Sequence, residues 1–146
     1  MAKQKNKKIV ERDQFMAQVA QVIEFCEVEA IINDLIVISE SDSLISFFPL
    51  YSNNLDEVNT KIGTKNNNVQ KVDWNLFFNG KIVPQAWHDD YMKEQTVKFK
   101  ALFDFYSTKT TEQQYIKIGK FEMQVYLMGK LASGHYIILK SMVVET

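Results

Sequence analysis

YIKIGKFEMQVYLMGKLASGHYIILKSMVV, residues 115–144, is the stretch from which the fold is read. Tyr115 to Ile118 is a short β-prone run closed by Gly119. From Phe121 to Met128 apolar and polar residues alternate, with Phe121, Met123, Val125 and Leu127 on one face, which is the two-residue period of a strand. Gly129 and the pair Ser133-Gly134 supply turn residues before a further strand, His135 to Val144. Gly119 and Gly129 are both read as turn or bulge glycines.

Moving outward, the strongest helix of the chain lies just upstream, from Asp89 or Asp90 to about Tyr106. Its apolar residues Val97, Phe99, Leu102, Phe103, Phe105 and Tyr106 are dense enough to be buried on more than one side. Before it, Pro84 marks a turn. Asp73 can cap a short helix carrying Trp74, Phe77 and Phe78, which Asn79-Gly80 ends. Residues 52–70 are polar, with Gly63 and the run Asn66-Asn67-Asn68, and read as a long loop with room for one helical turn around Leu55–Ile62. Leu35 to Ile38 is a short buried strand, and Ser43 to Tyr51 a second one ending near Pro49. The polar residues Ser39-Glu40-Ser41-Asp42 between them make a hairpin or β-corner with an acidic tip. From Ile9, Phe15, Met16, Val19, Val22, Ile23 and Cys26 recur at helical spacing, predicting one helix to about Ile32, with Asn33-Asp34 as its stop. Residues 1–8 read as a flexible basic tail, and 9–146 as a single domain. The order α-β-β-α-α-β-β, with room for one more strand, predicts an α+β fold, an antiparallel sheet covered by helices.

Bulk composition narrows the function classes. The 146 residues carry 17 Lys or Arg against 18 Asp or Glu, a net charge of −1. A non-specific nucleic-acid binder needs a marked basic excess, so that class is disfavoured. A bulk acidic mimic of DNA is disfavoured as well, and any such mimicry must be local. Cys26 is the only cysteine, which leaves no internal disulfide and fits a reducing compartment. The basic N-terminus runs into Glu11, Arg12 and Asp13 rather than an apolar core segment. A soluble, cytoplasmic, monomeric domain is therefore expected.

Catalytic constellations are thin. His88-Asp89-Asp90 beside Trp87 could hold a metal or act as a base, but the carboxylates suit better the free N–H groups and dipole at the start of the following helix. His135 is read as a surface histidine at a strand start. Cys26 sits on the apolar helical stripe and reads as a buried structural thiol, since a nucleophile needs an accessible, electropositive setting. Phosphate-loop, dinucleotide, CxxC and HExxH patterns are absent from the sequence. No enzyme is expected, and no cofactor.

Several segments together resemble one family. Ile118-Gly119-Lys120-Phe121-Glu122-Met123-Gln124-Val125-Tyr126-Leu127-Met128-Gly129 and the closing Met142-Val143-Val144-Glu145-Thr146 are similar to the tail of the nuclease A inhibitor (NuiA-like) family. Val72-Asp73 with Phe77-Phe78, Pro84-Gln85 with Trp87, Val97-Lys98-Phe99 with Leu102, and Ser39-Glu40-Ser41 after an apolar strand occur in the same order and spacing. The resemblance runs from about Ala30 to Thr146 and is weakest across 52–70.

This resemblance implies an α/β/α sandwich. It also implies a non-catalytic inhibitor, of the immunity-protein kind, of a sugar-non-specific, Mg²⁺-dependent endonuclease of the ββα-metal type. By the same resemblance, Thr146 would reach the metal of the partner nuclease and Glu40 would enter the same active site. Ser39, Ser41, Glu145 and Trp87 would contribute to the partner-binding surface. The chemistry is coherent, because Mg²⁺ takes oxygen ligands and keeps waters that can be displaced, and a glutamate can occupy the place of a phosphate. The near-neutral charge and basic N-terminus depart from the family's more acidic pattern and imply weaker long-range steering. A different role on the same fold, as a binding module or assembly subunit, is the alternative. A hydrolase built on His88 or His135 with Asp89 is a third reading.

Overall fold

The computed structural model describes residues 2–19, 22–39, 42–65 and 68–144, with side chains from Glu11 onward. Three long strands form its centre: β5 (Thr110–Ile118), β6 (Glu122–Leu131) and β7 (Tyr136–Val144). They are joined through Gly119, at φ +126°, and Gly134, at φ +90°, both in backbone conformations that a side chain disfavours. Two short strands complete an antiparallel sheet of order β3-β7-β6-β5-β4, with β3 (Ser46–Phe47) and β4 (Val69–Val72) on the edges. A separate ribbon pairs β1 (Ile36–Val37) with β2 (Ser43–Leu44).

The strands are apolar at both parities because both faces are covered. Met123, Val125, Leu127, Ile137, Leu139 and Val143 pack into one core with buried residues of α1 (Ala2–Val19), α2 (Ile23–Ile32), α4 (Trp74–Phe78) and α5 (Asp90–Lys109). Ile116, Tyr126, Met128, Tyr136 and Ile138 form a second core on the opposite face, closed by Val58 and Ile62 of α3 (Leu55–Ile62). The fold is α+β, with helices on both sides of an antiparallel sheet, as the sequence and the resemblance predicted.

Several expectations change. The first long helix is two, because residue 22 is extended (φ −115°, ψ 115°) and α2 restarts at Ile23. Phe15 and Val19 are buried, but Ile23 is 82% exposed. Cys26, expected inside, is exposed, and Phe25, Val28 and Ile32 carry the buried face of α2 instead. Helical backbone begins at Ala2, within the stretch set apart as a tail. The loop at 52–70 holds a two-turn helix rather than one turn. Asn54 caps it by accepting from Asp56 and Glu57 N–H, and Gly63 ends it at φ +88°. That helix, amphipathic and short, supplies the second layer.

Gly129 is no turn glycine, since β6 continues to Leu131 and the turn follows at Ala132–Gly134. A Cβ at Gly129 would stand 2.5 Å from Thr110 Oγ1 and 3.0 Å from a Tyr106 ring carbon, so glycine lets the α5–β5 junction close on the sheet. Phe121, placed by the alternation on the inner face, precedes β6 and is 67% exposed, while Val97 is 68% exposed on the outer side of α5. Asp73 and Asp89 cap α4 and α5 as read, accepting from Asn75 N–H and Met92 N–H at 2.9 and 2.8 Å.

Candidate functional site

The end of the sheet where β7 finishes is built by three side chains from distant parts of the chain. Beside β7, β3 pairs Ser46 with Lys140 and Phe47 with Leu139. Upstream of Ile45 the chain leaves this ladder and forms the β1–β2 ribbon, with Ile36 opposite Leu44 and Val37 opposite Ser43. Ser141 ties the ribbon down, its hydroxyl lying 3.0 Å from the Leu44 carbonyl and 3.2 Å from the Ser43 carbonyl. Just past β1, Ser39 Oγ accepts the Val144 N–H at 3.1 Å.

The third side chain is Gln95 of α5, buried at 7% exposure. Its Nε2 donates to the Asp34 carbonyl at 2.9 Å, and its Oε1 accepts the Ile36 N–H at 3.1 Å. One turn on, Lys98 Nζ donates to the Asn33 carbonyl at 2.6 Å. Neither Gln95 nor Ser141 was singled out from sequence. A signal was present: Gln95 falls in step with Phe99, Leu102 and Tyr106, a polar residue at a core position of the α5 stripe. Ser141 likewise sits at the buried parity of β7 between Leu139 and Val143.

Of the residues the resemblance singled out, Ser39 is part of this contact. Glu40, Ser41, Glu145 and Thr146 lie outside the described residues. Their described neighbours, Ser39 on one side and Val144 on the other, are hydrogen-bonded to each other. Around this end stand exposed apolar residues: Ile38 at 63%, Leu44 at 60% and, beside the Glu122–Val144 pair, Phe121 at 67%.

Trp87 is 72% exposed and packs edge-on to His88, ring centroids 4.4 Å apart. Tyr106 sits against Leu127 and Ile137 mid-sheet, while Gln95 sits beside β1. The ribbon's Asp42 and the neighbouring Glu122 are solvent-exposed, as is Lys120 in the turn before β6.

The other chemistry-bearing residues have structural employment. His88 Nδ1 accepts the Gln85 N–H at 3.1 Å within its turn, and Asp89 caps α5. His135, expected as a plain surface residue, is half-buried and stacked on Tyr51 at 4.1 Å, with the two planes 9° apart. Lys81 donates to the Phe77 carbonyl at 2.6 Å and lies over the Phe77 ring; burial, then the nearby Lys117, holds its pKa below the usual lysine range. Burial also raises the Tyr106 pKa, its hydroxyl enclosed between the Ile137 and Leu127 carbonyls. Among the described residues, no three His, Cys, Asp or Glu side chains are grouped to hold a metal. Nor, among them, is any helix long and apolar enough to cross a membrane.

Against known proteins, no curated sequence matches the chain. The family model described as nuclease A inhibitor-like protein matches residues 24–146, which takes in α2, the ribbon, the whole sheet, α3, α4 and α5. The chain with Ser39 bonded to the end of β7 therefore belongs to the nuclease A inhibitor-like family.

Proposed function

We propose that this chain is a non-catalytic protein inhibitor of a sugar-non-specific, Mg²⁺-dependent endonuclease, acting as a cytoplasmic monomer that protects its host. It blocks the active site with Glu40 and Thr146 together. Glu40 takes the place of a substrate phosphate among the nuclease's basic groups. The Thr146 hydroxyl takes a position on the partner's Mg²⁺ that a water would otherwise fill. Ser41, Glu145 and the exposed indole of Trp87 complete the contact, the last as a large aromatic anchor of the kind that dominates interface energetics.

One observation carries this reading beyond family membership. The hydrogen bond from Val144 N–H to Ser39 Oγ, 3.1 Å long, draws the residue before Glu40 to the strand that leads into Thr146. Two segments about a hundred residues apart in sequence, each unremarkable by itself, thereby share one end of the sheet.

The test is a titration of a purified endonuclease of this type, on plasmid DNA with Mg²⁺. The wild-type chain, Glu40→Ala, Thr146→Ala, the double variant and a form extended by two residues after Thr146 are compared. Each alanine substitution is expected to weaken inhibition by about thirtyfold or more, the size of an interface hot spot. The extension should match or exceed the loss seen with Thr146→Ala. Undiminished inhibition by the double variant would rule out this use of Glu40 and Thr146.

A further inference from the structure

We propose that Gln95 is the positioning residue of the inhibitory face: from α5 it sets where β1 delivers the Ser39 turn against the end of β7. This rests on the inhibitor reading above, and adds to it a residue remote from the partner.

The need for such a residue follows from the backbone. Between α2 and β1 the chain reverses at Asp34, whose φ is +59°. Aspartate enters this left-handed region more readily than most side chains, though less freely than glycine. The reversal presents the Asp34 carbonyl and the Ile36 N–H to α5. The Gln95 side-chain amide satisfies both, donating to the first at 2.9 Å and accepting from the second at 3.1 Å. A primary amide is the one group of this size that offers a donor and an acceptor side by side. Leucine offers neither, and glutamate loses the donor.

Reach makes this grip matter at the turn. From Ile36 to Ser39 is three residues, at most about 10 Å of extended chain. Among the described residues the β1–β2 ladder counts two residue pairs, beside the Ile45 N–H to Leu35 carbonyl bond and the buried Leu35 and Val37, and so short a ribbon is marginal without further fastening. A clamp at Ile36 therefore governs whether Ser39 Oγ meets the Val144 N–H. Lys98 at the Asn33 carbonyl secures the same connection one turn along α5, but grips only one end of the reversal.

The experiment uses the full chain and two readouts. Hydrogen exchange of the Val144 amide, followed by NMR without any nuclease, is expected to speed up by about tenfold in Gln95→Leu, as the local opening becomes easier. Amides in the middle of β6 should keep their protection. Inhibition of the Mg²⁺-dependent endonuclease is expected to weaken by about ten- to a hundredfold in Gln95→Leu. It should weaken little further when Glu40→Ala is added, yet fully when Thr146→Ala is added. Should Gln95→Leu fail to unfold cooperatively, Gln95→Glu, which keeps the acceptor, takes its place in both arms. Unchanged Val144 exchange, or full additivity with Glu40→Ala, overturns the proposal. A wild-type chain that does not inhibit overturns the inhibitor reading instead, and the exchange arm still decides whether Gln95 holds the turn.

Discussion

The β5–β6–β7 meander and the β1–β2 ribbon are held by opposite means. Strands of nine and ten residues in the meander are paired along nearly their whole length and covered on both faces. Neighbours in sequence supply most of what each strand needs. The ribbon has two-residue strands and keeps its place through Gln95, Ser141 and Ser39, each reaching a backbone group at least 59 residues away in the sequence. The scaffold is held by burial along whole strands, whereas the ribbon adds single long-range hydrogen bonds to a few buried side chains, Val37 among them. Local opening of such regions is cheap.

The comparison breaks most visibly if the core is weakened. Leu102, fully buried in α5, is expected to lose about 2–5 kcal/mol of global stability on substitution by alanine, from lost burial plus the cavity left behind. Chemical denaturation measures this, and residual folded protein should inhibit as the wild type does. A change in inhibition at full folding would mean that core and ribbon are coupled more tightly than their separate fastening implies.

A second prediction concerns the core alone. The Tyr106 pKa is raised above 10.0 by burial, so the folded state keeps a proton that the unfolded state gives up. Its contribution to stability is thus complete below pH 10 and lost progressively above it, at about 1.4 kcal/mol per pH unit. Denaturation between pH 9 and 11 should show that decline, and Tyr106→Phe should reduce it, Tyr126 and Tyr136, whose pKa burial also raises, keeping the rest. An identical slope in the variant would assign the decline to other groups.

The smallest stability change is expected at the ribbon. Ser39→Ala removes the acceptor of the Val144 N–H, and a solvent-accessible hydrogen bond of this kind contributes about 0.5–1.5 kcal/mol. Global unfolding should shift by that much or less, while inhibition falls more steeply. Equal losses in both would place the ribbon within the cooperative core and remove the contrast.

Much of the fold was legible because its signals are local. Alternation in 121–128, the dense apolar stripe of α5 and the caps Asp73 and Asp89 each lie within a few residues of what they specify. Errors arose where two readings share one pattern. Phe15 to Cys26 keeps helical spacing straight through a break, because periodicity does not register a single extended residue such as Val22. Gly129 resembles a turn glycine until Tyr106 and Thr110 are seen pressing against it.

By itself, then, the sequence determined the three long C-terminal strands, the main helices and the resemblance that picks out Glu40 and Thr146, since those depend on short-range patterns and identities, whereas it missed β4 and read β2 and β3, which lie in different sheets, as one strand. Only the tertiary structure decided that Ser39 meets Val144 and that Gln95 clamps Asp34 and Ile36. The physical reason is that single hydrogen bonds across about a hundred or sixty residues leave no period in the chain. Two polar residues at core positions were their only trace, and their partners exist only once the sheet and α5 have packed together.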